Sequence, residues 1–346
     1  MTSAGALRLS DSLARIEAEL EALWEPDSTG AAKPRAYTLN LVAVVGLDAS
    51  EAFAGLVGEV AARLLARTFT VTVDPRLAPW ALSGDVRAVC SVGEQRICAE
   101  QVELDFGVMA AQRAGSILEA LTEARLRTVL LVGPGAPRDV VARLAPASAL
   151  VVVDSARLGV GASAELAAST SGSVADLAFV RGRRWREMVA RLFDEPTARA
   201  ALPRISAVEI THVELPSGPE ATAESALFLG WLGSQLGWRT SSGAVLDAAG
   251  STVAVRRSTV VREDVAAGCL ESVKITAGEL ELAVARDTDA EHVRCSMRAP
   301  GGAPAARRYS IPHREAAEEL ARAISDPRGD ALVRGALAFA ASAPGA

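Results

Sequence analysis

The sequence predicts an α/β protein in which a helix-flanked mixed sheet is followed by a smaller α+β domain. Three observations carry this. From Tyr37 to about Asp194, apolar β-type runs alternate with helical patterns, as in a sheet covered by helices. Inside that stretch two β-type runs, Asp85–Val92 and Gln95–Leu104, follow one another with only a turn at Gly93–Glu94 between them. An antiparallel hairpin therefore belongs to the sheet, which makes it mixed. Beyond Asp194-Glu195-Pro196 the order changes to segregated short strands and closing helices, the α+β pattern. At 346 residues the chain exceeds the size at which one core stops growing, so two domains are the default. The reading is an N-terminal helix and linker over 1–35, an α/β domain over 36–195 and an α+β domain over 196–346.

The elements follow in order. Over Ser10–Trp24 the residues Leu13, Ile16, Leu20, Leu23 and Trp24 recur at helical spacing, with Ser10 or Asp11 placed to cap the start. Glu25–Arg35 is rich in Pro, Gly, Ser and Ala and reads as a linker. A short amphipathic helix on such a tether either packs on its own domain or docks on a partner. Strands are expected at Thr38–Val45, Phe69–Val73, Thr128–Val132, Leu150–Asp154 and Ala175–Val180, besides the hairpin. Helices are expected at Glu51–Ala66, Val108–Glu123, Arg138–Leu144, near Ser163–Ala168 and at Arg183–Phe193. The second domain opens with a strand near Ala207–Val213 and a helix at Ala221–Leu236. Strands at Ser251–Arg257, Gly268–Thr276, Glu279–Ala285 and His292–Met297 follow, then helices at Glu315–Ile324 and Asp330–Ala341.

Composition excludes several functions. Half the residues are hydrophobic but only 4% are aromatic, so Val, Leu, Ile and Ala must fill the cores. The net charge of −6 is spread along the chain, and no basic stripe suited to a phosphodiester backbone is present, so nucleic acid is not expected as a partner. No apolar run approaches the roughly 20 residues that span a bilayer. The N-terminus lacks a basic segment followed by an apolar block, so a cytoplasmic protein without a membrane partner is expected. The four cysteines are too scattered for a disulfide scaffold, and His212, His292 and His313 stand apart, so no metal site is expected.

No catalytic constellation emerges. GxSxG and GxxxxGK[ST] are both absent, and Gly133-Pro134-Gly135-Ala136-Pro137 reads as a tight turn, because its prolines remove N–H donors that a phosphate would need. Gly159-Val160-Gly161-Ala162-Ser163-Ala164 is a GxGxxA string, with Asp176 at the spacing of a ribose-binding acid. Four residues separate it from its strand, which weakens the fingerprint. An enzyme binding a nucleotide or sugar phosphate through that loop is the alternative reading. Cys90 and Cys98 face each other if the hairpin loop is Gly93–Gln95, whereas a two-residue turn pairs Cys90 with Ile97 instead; reduced thiols are expected in the cytosol. Alternation puts Glu100 on one face with Cys98, Val102 and Leu104, where a carboxylate needs an arginine partner or an interface. In Arg181–Asp194, Trp185, Met188, Val189, Leu192 and Phe193 form one helical face. Arg181, Arg183, Arg184, Arg186 and Arg191 crowd it, inviting an acidic partner, a phosphate or internal carboxylates.

These segments resemble the OpcA family. Arg35-Ala36-Tyr37-Thr38-Leu39-Asn40-Leu41-Val42, Ile97-Cys98-Ala99-Glu100-Gln101-Val102, Val153-Asp154-Ser155, Trp185-Arg186 and Phe193-Asp194 look like successive signatures of that family. So do Leu229-Gly230-Trp231-Leu232-Gly233-Ser234-Gln235-Leu236-Gly237-Trp238 and the Glu318-Glu319-Leu320 region. The order holds from about residue 35 to 340. Two departures mark a divergent member: Phe179-Val180-Arg181-Gly182-Arg183-Arg184-Trp185-Arg186 stands where relatives carry an aromatic-Ala-Arg-Leu-Thr-Pro-Trp-Arg run, and Cys98-Ala99 where they often double the cysteine. The resemblance implies a non-catalytic auxiliary protein without a cofactor, whose partner is glucose-6-phosphate dehydrogenase and whose binding assembles or activates that enzyme. On this reading Glu100, Gln101, Arg181, Trp185 and Arg186 belong to the partner surface; Cys90 with Cys98 are a candidate redox pair from the hairpin alone, since Cys98-Ala99 weakens any switch carried over from relatives.

Overall fold

A computed structural model describes residues 3–25, 36–90, 98–214, 222–299, 301, 305–312, 314–326 and 329–343. The chain forms two compact units, and each gathers segments that are distant in sequence. The first takes Met1–Val153, Ser169–Ala175 and Ala316–Pro327, and the second takes Asp154–Ala168, Asp176–Glu315 and Arg328–Ala346. The units therefore do not divide at the Asp194-Glu195-Pro196 break. The physical reason lies in the helix before it: Trp185, Met188, Val189 and Phe193 are buried in the second unit's core.

The first unit begins with helix α1 (Ser3–Ala22) and strand β1 (Leu39–Val44), then α2 (Ser50–Leu64), β2 (Ala66–Val73), β3 (Leu82–Cys90) and β4 (Cys98–Phe106). It continues through α3 (Ala114–Leu121), β5 (Thr128–Val132), α4 (Arg138–Leu144) and β6 (Leu150–Val153). After α5 (Ser155–Leu158) and α6 (Val160–Ser169), strand β7 (Ser173–Asp176) completes a seven-stranded sheet of order β3-β4-β2-β1-β5-β6-β7. β1 runs parallel to β2 and β5, β2 to β4 and β5 to β6, whereas β3 is antiparallel to β4. This is a Rossmann-like mixed sheet. Every residue of β1 is buried, as a central strand covered on both faces requires.

Helix α1 packs on its own unit. Ile16 and Leu20 are buried, and Ile16 lies over Gly84 of β3, where an added Cβ would come within 2.8 Å of its Cδ1. The helix begins at Ser3 rather than at Ser10, so the expected Ser10 or Asp11 cap lies inside it. The linker over 26–35 and the turn over 91–97 lie outside the described residues. The Gly133–Pro137 segment is a tight turn, as expected. Gly135 has φ +66, Ala136 N–H donates to Gly133 O at 3.3 Å, and Gly46 N–H donates to Pro134 O at 2.8 Å. Backbone from two loops thus fills the crevice beside β1 and β5, where the strand order reverses and an open α/β sheet would hold a ligand.

The second unit includes α7 (Leu177–Arg181), α8 (Arg183–Leu192), α9 (Pro196–Ala201), β8 (Ile205–Glu214) and α10 (Ala223–Gln235). Strands β9 (Arg239–Ser241), β10 (Ala244–Leu246), β11 (Thr252–Val261), β12 (Leu270–Ala277), β13 (Leu280–Arg286), β14 (His292–Arg298) and β15 (Ala305–Ser310) follow. Helix α11 (Ala316–Ser325) returns to the first unit, beside α2 and β6, and α12 (Asp330–Ser342) ends the second. The sheet has eight strands in the order β15-β14-β13-β12-β8-β11-β10-β9, antiparallel except where β8 meets β11. Its inner face offers Val208, Ile210, Val273, Ile275, Leu282 and Val284 to α8 and α10.

The glycine spacing of α10 has a steric cause. A Cβ on Gly230 would overlap the carbonyl of Ala336 in α12, and one on Gly233 would lie 2.5 Å from the Phe339 ring. Close approach of these two helices therefore requires glycine. We expect Gly230→Ala to cost about 3 kcal/mol in urea unfolding, since rigid backbone must move. By contrast Gly55→Ala in α2, whose Cβ enters open space, should gain ~0.5–1 kcal/mol. Equal effects at the two positions would show that α10 and α12 are not packed backbone to backbone.

Candidate functional site

Two polar clusters contain the residues that the sequence singles out, one in each unit. In the first unit β4 alternates, so Glu100 shares a face with Val102 and Leu104 beneath α1, while Gln101 turns to the other face. Glu100 is 1% exposed. Its carboxylate accepts hydrogen bonds from Trp24 Nε1 at 2.6 Å and Tyr37 OH at 2.9 Å, and it forms an ion pair with Arg67 of β2. A buried carboxylate is tolerated only with such partners. The interaction ties the turn after α1, the start of the first strand and β2 to one point of the sheet. Gln101 is buried as well, facing α2 near Gly58.

Cys90 and Cys98 occupy directly paired positions of β3 and β4, and the structure joins them in a disulfide with Cα atoms 3.9 Å apart. Of the two registers open to the sequence, this is the one in which the cysteines face each other. The expectation of reduced thiols is corrected accordingly: the pairing leaves the sulfurs within bonding reach.

In the second unit the arginines around Trp185 meet carboxylates of the same chain. Asp154 caps α5 by accepting from Ala156 N–H, and Asp176 caps α7 by accepting from Phe179 N–H, both at 3.1 Å. At the C-terminal end of α7, Arg181 donates to Asp154 Oδ1 at 2.9 Å and to Glu224 Oε1 of α10 at 2.9 Å. Burial opposes the charge of Arg181, but the hydrogen bond to Asp154 and the charge of Glu224 outweigh it and push its pKa up. Glu224, itself buried, is held above the usual carboxylate range by desolvation, with Arg181 acting against that. Asp176 is fully buried and pushed up to about 6, chiefly by desolvation, although Ser155 and the Phe179 amide donate to it. Arg186 donates to Phe179 O at 2.6 Å, and its guanidinium lies 3.4 Å from the centre of the Phe179 ring. Burial, then the charge of Arg183, hold Arg186 below its ordinary range. Arg183 and Arg184 pair with Glu187.

The anionic partner that the arginines invite is thus, in large part, internal carboxylate. Glu100, Gln101, Trp185 and Arg186 are all buried, and Arg181 is three-quarters so. These five shape the two units from within. Reversing charge at Arg186 while truncating Trp185, which the sequence suggests as a surface test, would strike the core.

The Gly159–Ala164 string does not form a dinucleotide turn. Gly159, with φ +88, ends the one-turn helix α5 by donating to Ser155 O, and α6 starts at Val160. Asp176, the expected ribose acid, is enclosed and already bonded. Among the described residues no group of three or more His, Cys, Asp or Glu could hold a metal ion, and His313 lies outside them. No described helix is long and apolar enough to cross a membrane.

Residues 172–337 match the family model for the C-terminal domain of the glucose-6-phosphate dehydrogenase subunit OpcA. Over this segment the chain is similar to the OpcA family. A relative from Nostoc punctiforme, described as an OxPP cycle protein OpcA, is 31% identical over 171 residues, which are 46% of this chain. The match spans about a third of that relative's length, 36%. Among solved structures, an oxidoreductase from Sinorhizobium meliloti aligns with 89% of this chain and 97% of its own at TM-score 0.47 and 12% identity. An aldose-aldose oxidoreductase from Caulobacter crescentus aligns with 88% and 97% at TM-score 0.44 and 12% identity. Likeness of that degree says nothing about chemistry.

Of the site residues, Glu224 carried no readable signal, and Asp154, although part of the Val153-Asp154-Ser155 run, gave no hint of its partner. Asp154 and Glu224 are 70 positions apart in sequence and meet only through Arg181. Glu224 stands in the first turn of a helix, where an acidic residue is unremarkable.

Asp176 gives a pH test. Its folded carboxyl holds a proton more tightly than the unfolded one, so its contribution to stability falls as pH rises from about 4 to about 6 and stays low above that. Asp176→Asn keeps an acceptor for Phe179 N–H and removes the ionisation. Relative to the parent, the variant should gain ~2–3 kcal/mol between about pH 4 and pH 7 in urea unfolding. A difference that is flat with pH would contradict the buried carboxyl.

Proposed function

We propose that this chain is a non-catalytic cytoplasmic subunit that binds glucose-6-phosphate dehydrogenase and favours its assembled, active form. The observation that carries the proposal is the match of residues 172–337 to a family described as a subunit of that enzyme. The polar clusters agree with it. Their carboxylates and guanidiniums satisfy one another, and none of the arrangements described above sets a nucleophile beside a base and an open space for substrate. A binder activates an enzyme only by preferring its active state or oligomer, so the relevant feature is a surface.

That surface is best sought where α8 reaches solvent. The helix that buries Trp185 and Arg186 also carries Arg191 and Leu192 along a groove of about 530 Å³ shared with Met297, Arg307 and Tyr309. Its apolar floor and mixed rim, with Arg191 and Arg307 beside Asp194 and Glu195, suit a partly apolar segment of the dehydrogenase that carries charges of both signs. The test is dehydrogenase activity titrated with this protein, together with size-exclusion of the mixture. The parent should activate saturably and co-elute. Arg191→Glu with Arg307→Glu should need at least about tenfold more protein for half-activation while keeping the parent's melting temperature. Trp185→Ala should lose stability first, by ~3–5 kcal/mol. Absence of both activation and complex would remove the proposal.

A further inference from the structure

The half-sheet made by β2, β4 and β3 has two unlike faces. On the face under α1 stand Phe69, Val71, Val102, Leu104 and Phe106, all buried. The opposite face presents Thr68, Thr70 and Thr72 on β2, Gln101, Glu103 and Asp105 on β4, and Asp85 and Arg87 on β3, in register with one another. Alternation of this kind usually puts the polar face in water. Here α2 passes beside it, and a cleft of about 560 Å³ lies between them, within the range of small-molecule sites.

Most polar groups of the cleft are already matched. Arg76 makes a two-pronged pair with Asp74, Arg87 pairs with Glu103, and Thr72 donates to Asp105. Two groups on the floor are not, one of them buried and the other open to the cleft. The Thr70 hydroxyl is buried, on a residue 3% exposed, and has no hydrogen-bond partner. Beside it the Gln101 carboxamide, on a residue 7% exposed, has no hydrogen bond among the described residues. An unmet hydroxyl inside a protein costs free energy that a bound molecule recovers. The helix side of the cleft is also kept low. Ala54, Gly55 and Gly58 line it, an added Cβ on Gly55 would meet nothing within 4 Å, and one on Gly58 would meet only Gln101 Oε1 at 3.7 Å. Neither glycine is required by packing, yet each weakens the helix relative to alanine. What they preserve is room.

We infer that this cleft binds an uncharged polyhydroxylated molecule of monosaccharide size. The free groups on the floor, a hydroxyl and a carboxamide, both donate and accept, which matches sugar hydroxyls. A phosphorylated ligand fits poorly. Glu51, Asp74, Glu103 and Asp105 outnumber Arg76 and Arg87, and both arginines are already held by carboxylates. A polyamine would be drawn to the acidic rim but would leave the floor unmet. This inference stands apart from the proposed dehydrogenase partnership and is tested without that enzyme.

The experiment is saturation-transfer NMR on the full chain with D-glucose and myo-inositol as neutral probes, and with glucose 6-phosphate and spermidine as charged ones. The neutral probes should receive saturation with roughly millimolar dissociation constants. Thr70→Val, which removes only the hydroxyl, should weaken them about five- to tenfold. Gly55→Met should abolish the signal while melting at or above the parent's temperature, because its side chain enters open space. Silence of both neutral probes would overturn the inference. So would undiminished binding in Gly55→Met, or preference for glucose 6-phosphate or spermidine over the neutral probes.

Discussion

Arg181 is the charge on which the second unit depends. Asp154, Asp176 and Glu224 come from three separate stretches of chain, and the last two are fully enclosed. Without a cation among them, α5, α7 and α10 would gather two buried carboxylates beside the partly exposed Asp154, at a cost of several kcal/mol for each buried ionised group. One guanidinium, bonded to two of them and near the third, makes the arrangement tolerable. Arg186 adds a second cation, placed by the Phe179 carbonyl and ring. Desolvation is incompletely offset, and this explains why Asp176 and Glu224 stay above the usual carboxylate range.

The first unit uses the same chemistry differently. Glu100 is one buried carboxylate with one arginine and two neutral donors, so its charge is fully met. It works as a tether: Trp24 and Tyr37 stand on either side of the linker and converge on one oxygen. One residue further along β4 the side chains point the other way, into a polar cleft whose floor is incompletely satisfied. Alternation along a strand therefore separates a closed structural site from an open one within two positions, Glu100 and Gln101.

Much of the fold was legible because it rests on local pattern. The helix and strand runs, the hairpin of β3 with β4 and the turn at Gly133–Pro137 each follow from periodicity or turn chemistry. The linear domain boundary failed because a helix's apolar face does not say which sheet it covers. Strands β9 and β10 went unread although Ser242-Gly243, both with positive φ, marks a two-residue hairpin turn between them. β15 was hidden by the Pro and Gly before it and by its exposed arginines. At the sites, the sequence offered arginine or interface for Glu100, and the arginine is present. It could not supply Asp154 and Glu224 as partners of Arg181, since nothing in spacing joins residues 154, 181 and 224. The unmet Thr70 hydroxyl was equally out of reach, because an unpaired group is a property of surroundings rather than of residue type.

The central claim is that Arg181 makes the buried carboxylates of the second unit tolerable. A double-mutant cycle of Arg181→Met and Glu224→Gln, followed by urea unfolding at neutral pH, tests it most directly. If the claim holds, Arg181→Met alone costs ~3–5 kcal/mol because it strands buried charge, and the double variant recovers at least about 2 kcal/mol of that. Strictly additive costs would contradict it, and would mean that the carboxylates are held by something other than this arginine.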